Sequence, residues 1–137
     1  MASLLTPRSK RRTVYSDIPD SFALSPVNSD LTRVTDELSV KQSIKNLMLT
    51  DRGERLFQRD LGSDVKALLF ENANPAGFKI IQNHIKDLLK IKEPRCNVID
   101  VTISSMLDSN QIEITLRYSI INITQIQEFS VILDRVR

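Results

Sequence analysis

The sequence contains no tryptophan, one histidine, one cysteine and three glycines, and each shortage closes off a kind of chemistry. A lone thiol, Cys96, cannot form an internal disulfide, so the chain has no framework that requires an oxidising compartment. Assembly in a reducing cytoplasm is expected. One histidine and one cysteine cannot provide the ligand spacing of a zinc site. Three glycines cannot build a phosphate-cradling loop, so no cofactor is expected. Aromatic residues make up 5% of the chain, too few for a stacking platform for single-stranded nucleic acid. A net charge of +2 gives no reason to expect nucleic acid or an anionic membrane surface as partner. No apolar run approaches the ~18 residues of a spanning helix. Arg8, Lys10, Arg11 and Arg12 cluster near the N-terminus, but no hydrophobic signal core follows them. The cluster reads as a solvated tail, with a salt-sensitive phosphate contact as the alternative.

What remains is ordinary for a globular protein, at 41% hydrophobic and 26% charged residues over 137 positions. Residues 1–36 are rich in Ser, Thr, Pro and Asp, and Pro7, Pro19 and Pro26 block any long helix. This stretch is expected to be an extended arm, disordered alone or ordered against a partner. Residues 37–137 are expected to form one small domain. From Leu38 to Leu49, the residues Val40, Ile44, Leu47 and Met48 form an apolar stripe at helical spacing, with Asp36 or Ser39 able to cap its start. Gly53 suits a left-handed turn beyond that helix, and the chain to Ser63 reads as a loop. A short helical turn follows from Asp64, with Val65, Leu68 and Leu69 on one side. Pro75 then opens a longer helix that sets Phe78, Ile81, Ile85, Leu88 and Leu89 against Lys79, Asn83, Lys86 and Lys90. Pro94 ends it near Glu93.

After Pro94 the apolar period changes to two. Ile99, Val101 and Ile103 alternate with polar residues, and so do Ile112, Ile114, Leu116, Tyr118 and Ile120. A connection as short as Leu107–Asn110 permits only an antiparallel hairpin. A third run, Glu128–Asp134, lies close to the C-terminus. Helices first and strands later predict an α+β fold in which amphipathic helices cover one face of an antiparallel sheet of about three strands.

Catalysis has few candidates. His84 lies beside the apolar stripe of the long helix, where packing or surface exposure is the ordinary role. Two carboxylates suffice for glycoside hydrolysis, and Glu54, Asp60, Asp64, Glu71 and Glu93 are available. Most stand near Lys or Arg in charge-rich stretches, which lowers a carboxyl pKa, whereas a general acid needs it raised.

Beyond this, an ordered set of residues resembles one family. Ser43-Ile44-Lys45-Asn46, Thr50, Arg52-Gly53, Arg55, Phe57, Gly62, Asp64, Leu69-Phe70-Glu71-Asn72 and Pro75 follow its order and spacing. Glu93-Pro94-Arg95 then falls where that family has its signature tripeptide, and Tyr15-Ser16-Asp17-Ile18 is similar to its start. The chain resembles the baseplate-wedge, lysozyme-like-named proteins of contractile phage tails, with relatives in contractile bacteriocins and type VI secretion baseplates. The resemblance implies a non-enzymatic structural subunit of the virion tail, assembled in the host cytoplasm. Its implied partners are other wedge proteins and the tail sheath protein, with tube or hub proteins as further candidates.

The resemblance also implies site residues. Glu93, Pro94 and Arg95 would dock the subunit on a helical core bundle of other wedge proteins. Residue chemistry alone equally allows a helix terminator with a surface ion pair. Phe129, Ser130, Val131, Ile132, Leu133 and Asp134 would exchange strands with the sheath protein and template its first ring. The alternative is an ordinary edge strand protected by Glu128, Asp134, Arg135 and Arg137. Arg52, Gly53, Arg55 and Phe57 read either as a partner-facing wedge loop or as a loop pinning the first helix with Phe57 buried. A baseplate-carried cell-wall glycosidase, using Glu54 or Glu71 as acid, is the competing function.

Overall fold

The structure is a computed structural model that describes residues 14–69, 75–106, 111–121 and 123–134. The expected features at Arg8–Arg12, Phe70–Asn72 (with Glu71), the Leu107–Asn110 turn and Arg135–Arg137 lie outside the described residues, as do the side chains of Leu68 and Leu69. The chain divides into two compact units, Met1–Ser39 and Val40–Arg137, with the division falling inside the first helix, α1 (Asp36–Leu49).

Within the first unit, β1 (Ser16–Asp17) pairs antiparallel with β2 (Val34–Thr35), and Leu24 bridges Leu31. The intervening chain is held mainly by local bonds. Ser25 N–H donates to the Asp30 carbonyl at 2.7 Å, and Thr32 N–H donates to the Ala23 carbonyl at 2.9 Å. Phe22 and Ser29 adopt left-handed φ of 49° and 51°. Val14, Ile18, Phe22, Leu24 and Val27 are all exposed, so this unit is built on turns and hydrogen bonds, with little apolar burial. The two expected capping residues hold β1 and the residues before it. The Asp36 carboxylate accepts N–H bonds from Val14 (2.8 Å) and Tyr15 (3.1 Å), and the Ser39 hydroxyl donates to Asp17.

In the second unit the predicted α+β arrangement is present. Val40, Ile44, Leu47 and Met48 of α1 are all buried, as the stripe requires. A short 3-10 helix (Val65–Leu69) follows and buries Val65. Helix α2 (Pro75–Lys92) buries Ile85, Leu88 and Leu89 and packs on β3. It stops one residue before Glu93, because Pro94 disfavours helical geometry in the residue ahead of it. No helix among the described residues is long and apolar enough to cross a membrane.

The sheet has the order β3 (Cys96–Met106), β4 (Gln111–Ile120), β5 (Ile123–Asp134), with both pairings antiparallel. Its inner face carries Val101, Ile103, Ile114, Leu116, Tyr118 and Phe129, all buried. Its outer face carries cross-strand rows, Asp100–Arg117–Glu128 and Thr102–Thr115–Ser130. In the first row a cation stands between two carboxylates, a favourable arrangement for directly opposed side chains.

Two expectations need correcting. Ile99 does not share the inner face with Val101 and Ile103. A β-bulge between Val98 and Asp100 leaves it unpaired and 45% exposed, because one extra residue reverses the inward–outward phase. The phase before the bulge is therefore set by Cys96 and Val98. The third strand also begins at Ile123, five residues ahead of the expected Glu128. Ile120 pairs with Ile123, and a second register shift carries the pairing to Ser119 opposite Ile126, which hides the alternation over that stretch.

Candidate partner-binding surfaces

The tripeptide Glu93-Pro94-Arg95 sits at the corner between α2 and β3, and its carboxylate points inward. Glu93 is 2% exposed. Arg95 grips it with both edges of a fork, Nε to Oε1 at 2.6 Å and Nη2 to Oε2 at 2.9 Å, and the Ser43 hydroxyl of α1 donates to Oε2. The parallel two-bond geometry is the strongest way for arginine to hold a carboxylate. Burial pushes the Glu93 pKa up, but the Arg95 and Ser43 hydrogen bonds and the adjacent positive charge outweigh it and hold the carboxyl below its ordinary range. The solvent-exposed ion pair allowed by the sequence is thus corrected: the acid is enclosed, while the Arg95 side chain keeps 26% of its exposure and Pro94 is exposed. Backbone bonds fix the corner as well. Glu93 N–H donates to the Leu89 carbonyl at 2.8 Å, and Ile121 N–H donates to the Arg95 carbonyl at 3.0 Å. Cys96 follows directly, and burial together with the Glu93 charge raises its thiol to about 11.

Ser43 is the residue that sequence reasoning missed. It stands three residues after Val40 and four before Leu47, a position within the apolar stripe. A hydroxyl at a core-facing helical position signals a buried polar partner. That partner is Glu93.

The second surface is the edge of β5. This strand pairs with β4 on one side and, among the described residues, with no strand on the other. Phe129 is buried and Val131 and Leu133 are half-buried on the inner face, while Ser130, Ile132 and Asp134 are exposed. That division follows the expected alternation. Asp134 also accepts a 2.6 Å bond from the Gln111 side chain across the strand pair.

The third surface is the loop 51–62. Its neck is closed by Ser63, whose N–H donates to the Thr50 carbonyl at 2.9 Å and whose hydroxyl donates to the Met48 carbonyl at 2.5 Å. Gly62 makes this closure possible. At φ +117° it lies so near the α1 terminus that a Cβ would stand 2.6 Å from the Thr50 carbonyl oxygen. Lys66 pairs with Asp51 at 2.9 Å, and Asp64 faces both Arg52 (3.6 Å) and His84 (3.7 Å). His84 thus lies at the edge of the core beside the loop's base. Arg52, Gly53, Arg55 and Phe57 are all exposed, and Phe57 is 99% exposed. The alternative with Phe57 buried is therefore overturned, because the short bonds that tie the neck leave the tip projecting outward.

As for catalytic carboxylates, Glu54 is exposed, with Oε2 accepting the Asp51 N–H at 3.0 Å, and Asp60 is exposed. Glu93 is enclosed and held ionised, opposite to what a general acid needs. Among the described residues no cluster of three or more His, Cys, Asp or Glu side chains could hold a metal ion.

Comparison with known proteins agrees with this fold. A baseplate wedge protein gp25 of Enterobacteria phage T4 is 28% identical over 109 residues, spanning 80% of this chain and 82% of that protein. Among solved structures, a chain described as a tail lysozyme from Geobacter sulfurreducens superposes with a TM-score of 0.63 at 23% identity, covering 72% of this chain and 89% of that one. A chain of the six-fold symmetrised baseplate of the anti-feeding prophage superposes with a TM-score of 0.62 at 19% identity, covering 90% of this chain and 87% of that one. At those identities the two structures establish the shared fold. A family model described as baseplate wedge protein gp25 matches residues 34–124, a span that holds the Ser43–Glu93–Arg95 lock, the tied loop and the first two strands of the sheet, and the chain belongs to that family.

Proposed function

We propose that this protein is a non-catalytic wedge subunit of a contractile tail baseplate, located in the virion tail, and that it performs two binding tasks. The corner at Glu93–Pro94–Arg95 docks on a bundle of other wedge proteins. The open edge of β5, from Phe129 to Asp134, recruits a strand from the sheath protein and so starts the first sheath ring. The single observation that carries the proposal is that, among the described residues, β5 pairs with a strand on one side only and keeps an apolar–polar alternation. Unpaired backbone groups along such an edge supply affinity, and the alternation sets register. At the corner, Glu93 acts by fixing Arg95, and Pro94 and the exposed part of the guanidinium form the contact. The loop with Arg52, Gly53, Arg55 and Phe57 contributes to wedge contacts.

The glycosidase reading draws support from the name of the Geobacter neighbour. The chemistry of the one glutamate buried among the described residues opposes it, since Glu93 is held ionised. Clearing of peptidoglycan that disappears in Glu54→Gln or Glu71→Gln would overturn the non-catalytic proposal.

Strand recruitment is tested with two prolines. Successive N–H groups on an edge strand alternate between the neighbouring strand and the free side, so one of Ser130→Pro and Val131→Pro spares the bonds to β4 and strikes the free edge. The variant that keeps wild-type circular dichroism is expected to enter baseplates that carry no sheath. Sheaths of normal length on those baseplates would refute the recruitment.

A further inference from the structure

The loop 51–62 takes its shape without a partner and uses it to hold two apolar side chains in water. Leu56 is 84% exposed and its neighbour Phe57 is 99% exposed. Single exposed apolar residues are common on protein surfaces. An adjacent pair at the tip of a tied loop is different, because the tie prevents the tip from folding back. Within the loop, Gly53 N–H reaches the Arg59 carbonyl at 3.2 Å, Gln58 N–H reaches the Arg55 carbonyl at 3.2 Å, and Leu61 N–H reaches the Gln58 carbonyl at 3.1 Å. A binding event at this tip would therefore spend little entropy on ordering it.

The charges at the tip indicate what it fits. Asp51 is engaged by Lys66, Glu54 by the Asp51 N–H, and Arg52 by Asp64. Arg55 and Arg59 flank the apolar pair and form no ion pair among the described residues. Residues 55–59 thus carry two cations around a leucine and a phenylalanine, with no acid between them. A convex apolar knob fits a concave apolar site, and guanidinium groups at its rim fit carboxylates, which they bind through planar forks. Aromatic and arginine side chains are also the ones that most often dominate binding at interface centres. Tip-to-tip contact between two copies would bring four cations together, which disfavours a symmetric pairing of this chain.

We infer that the tip Arg55–Arg59 inserts Leu56 and Phe57 into an apolar, carboxylate-rimmed pocket on a neighbouring protein of the baseplate. The inference rests on the baseplate reading above and supplies the chemistry of the wedge-loop partner. To test it, a photo-reactive benzoylphenylalanine replaces Phe57 in the full chain, and tails are assembled, purified, irradiated and analysed by mass spectrometry. Presence of the chain in those tails is measured first, because its absence would sink the baseplate reading and not the contact chemistry. The expected result is a cross-link to one site on a different baseplate protein, close to Asp or Glu residues. The variants Leu56→Ser/Phe57→Ser and Arg55→Glu/Arg59→Glu are expected to keep the melting temperature of the free chain, since every altered side chain is exposed. Each should lower incorporation into tails by about tenfold or more. Incorporation of both at the wild-type level, a cross-link to a second copy of this chain, or a tip that remains uncross-linked in tails containing the chain would each overturn the inference.

Discussion

Replacing Arg95 with alanine tests whether the corner is an internal lock or a surface decoration. The substitution removes both forked bonds, of 2.6 and 2.9 Å, and leaves a carboxylate that is 2% exposed with the Ser43 hydroxyl as its principal remaining partner. Breaking one side of a fully buried ion pair costs about 3–5 kcal/mol. Because the Arg95 side chain is 26% exposed, water can enter the vacated space, so the expected loss is smaller, about 2–3 kcal/mol. For a domain of this size that lowers Tm by roughly 6–15 °C. The sign of the pH dependence follows from the lowered Glu93 pKa. A depressed carboxyl contributes stability that is complete above its unfolded value of about 4.3 and is lost as pH falls through the folded value. Without Arg95, burial dominates and the carboxyl rises. The gap between wild type and variant should therefore be widest near neutrality and close in acid. Urea titrations from pH 3 to 7 on wild type, Arg95→Ala, Glu93→Gln and the double variant measure both the loss and the coupling. A variant melting within a degree of wild type at pH 7, or a coupling energy below about 0.3 kcal/mol, would refute the lock.

Gly62→Ala should destabilise by about 2 kcal/mol or more, because the added Cβ meets the Thr50 carbonyl at 2.6 Å in a left-handed backbone. Gly53→Ala, with open space around a φ of +84°, should cost only about 1 kcal/mol, so chemical denaturation ought to rank the two. Ile103→Ala in the buried row should lose about 2–4 kcal/mol, whereas Ile99→Ala on the bulge should fall within about 0.5 kcal/mol of wild type. Equal losses would contradict the bulge. Cys96, with its thiol raised to about 11, should react with a maleimide at neutral pH only as fast as the domain opens, and rapid labelling of the native protein would argue against its burial.

Much of this molecule was legible in the sequence because its elements follow simple periods. The stripe at Val40, Ile44, Leu47 and Met48 and the alternation from Ile114 to Ile120 each report a buried face directly. Pro94 announced the end of α2. What escaped was whatever depends on an inserted residue or on a distant partner. The bulge at Ile99 and the register shift near Ile120 break the period of two without any glycine or proline to mark them. The enclosure of Glu93 depends on Ser43, fifty residues away, and a tripeptide alone reads equally well as a surface pair. The exposure of Phe57 could not be inferred from its side chain, since phenylalanine is usually buried. It follows from how Gly62 and Ser63 close the neck, a constraint in the backbone rather than in hydrophobicity.

The enclosure of Glu93 also bears on how the molecule meets changes of medium. Counter-ions weaken attractions between charges that face water, and they do so over about 8–10 Å at physiological ionic strength. The Lys66–Asp51 and Lys86–Asp100 pairs are open to that effect, with side chains roughly a third to a half exposed. The joint between α2 and β3 is set by a pair whose carboxylate is enclosed, so ions screen it less. Brine should therefore slacken the fastenings at the periphery, and fresh water should tighten them, while the bend at Pro94 keeps the same angle.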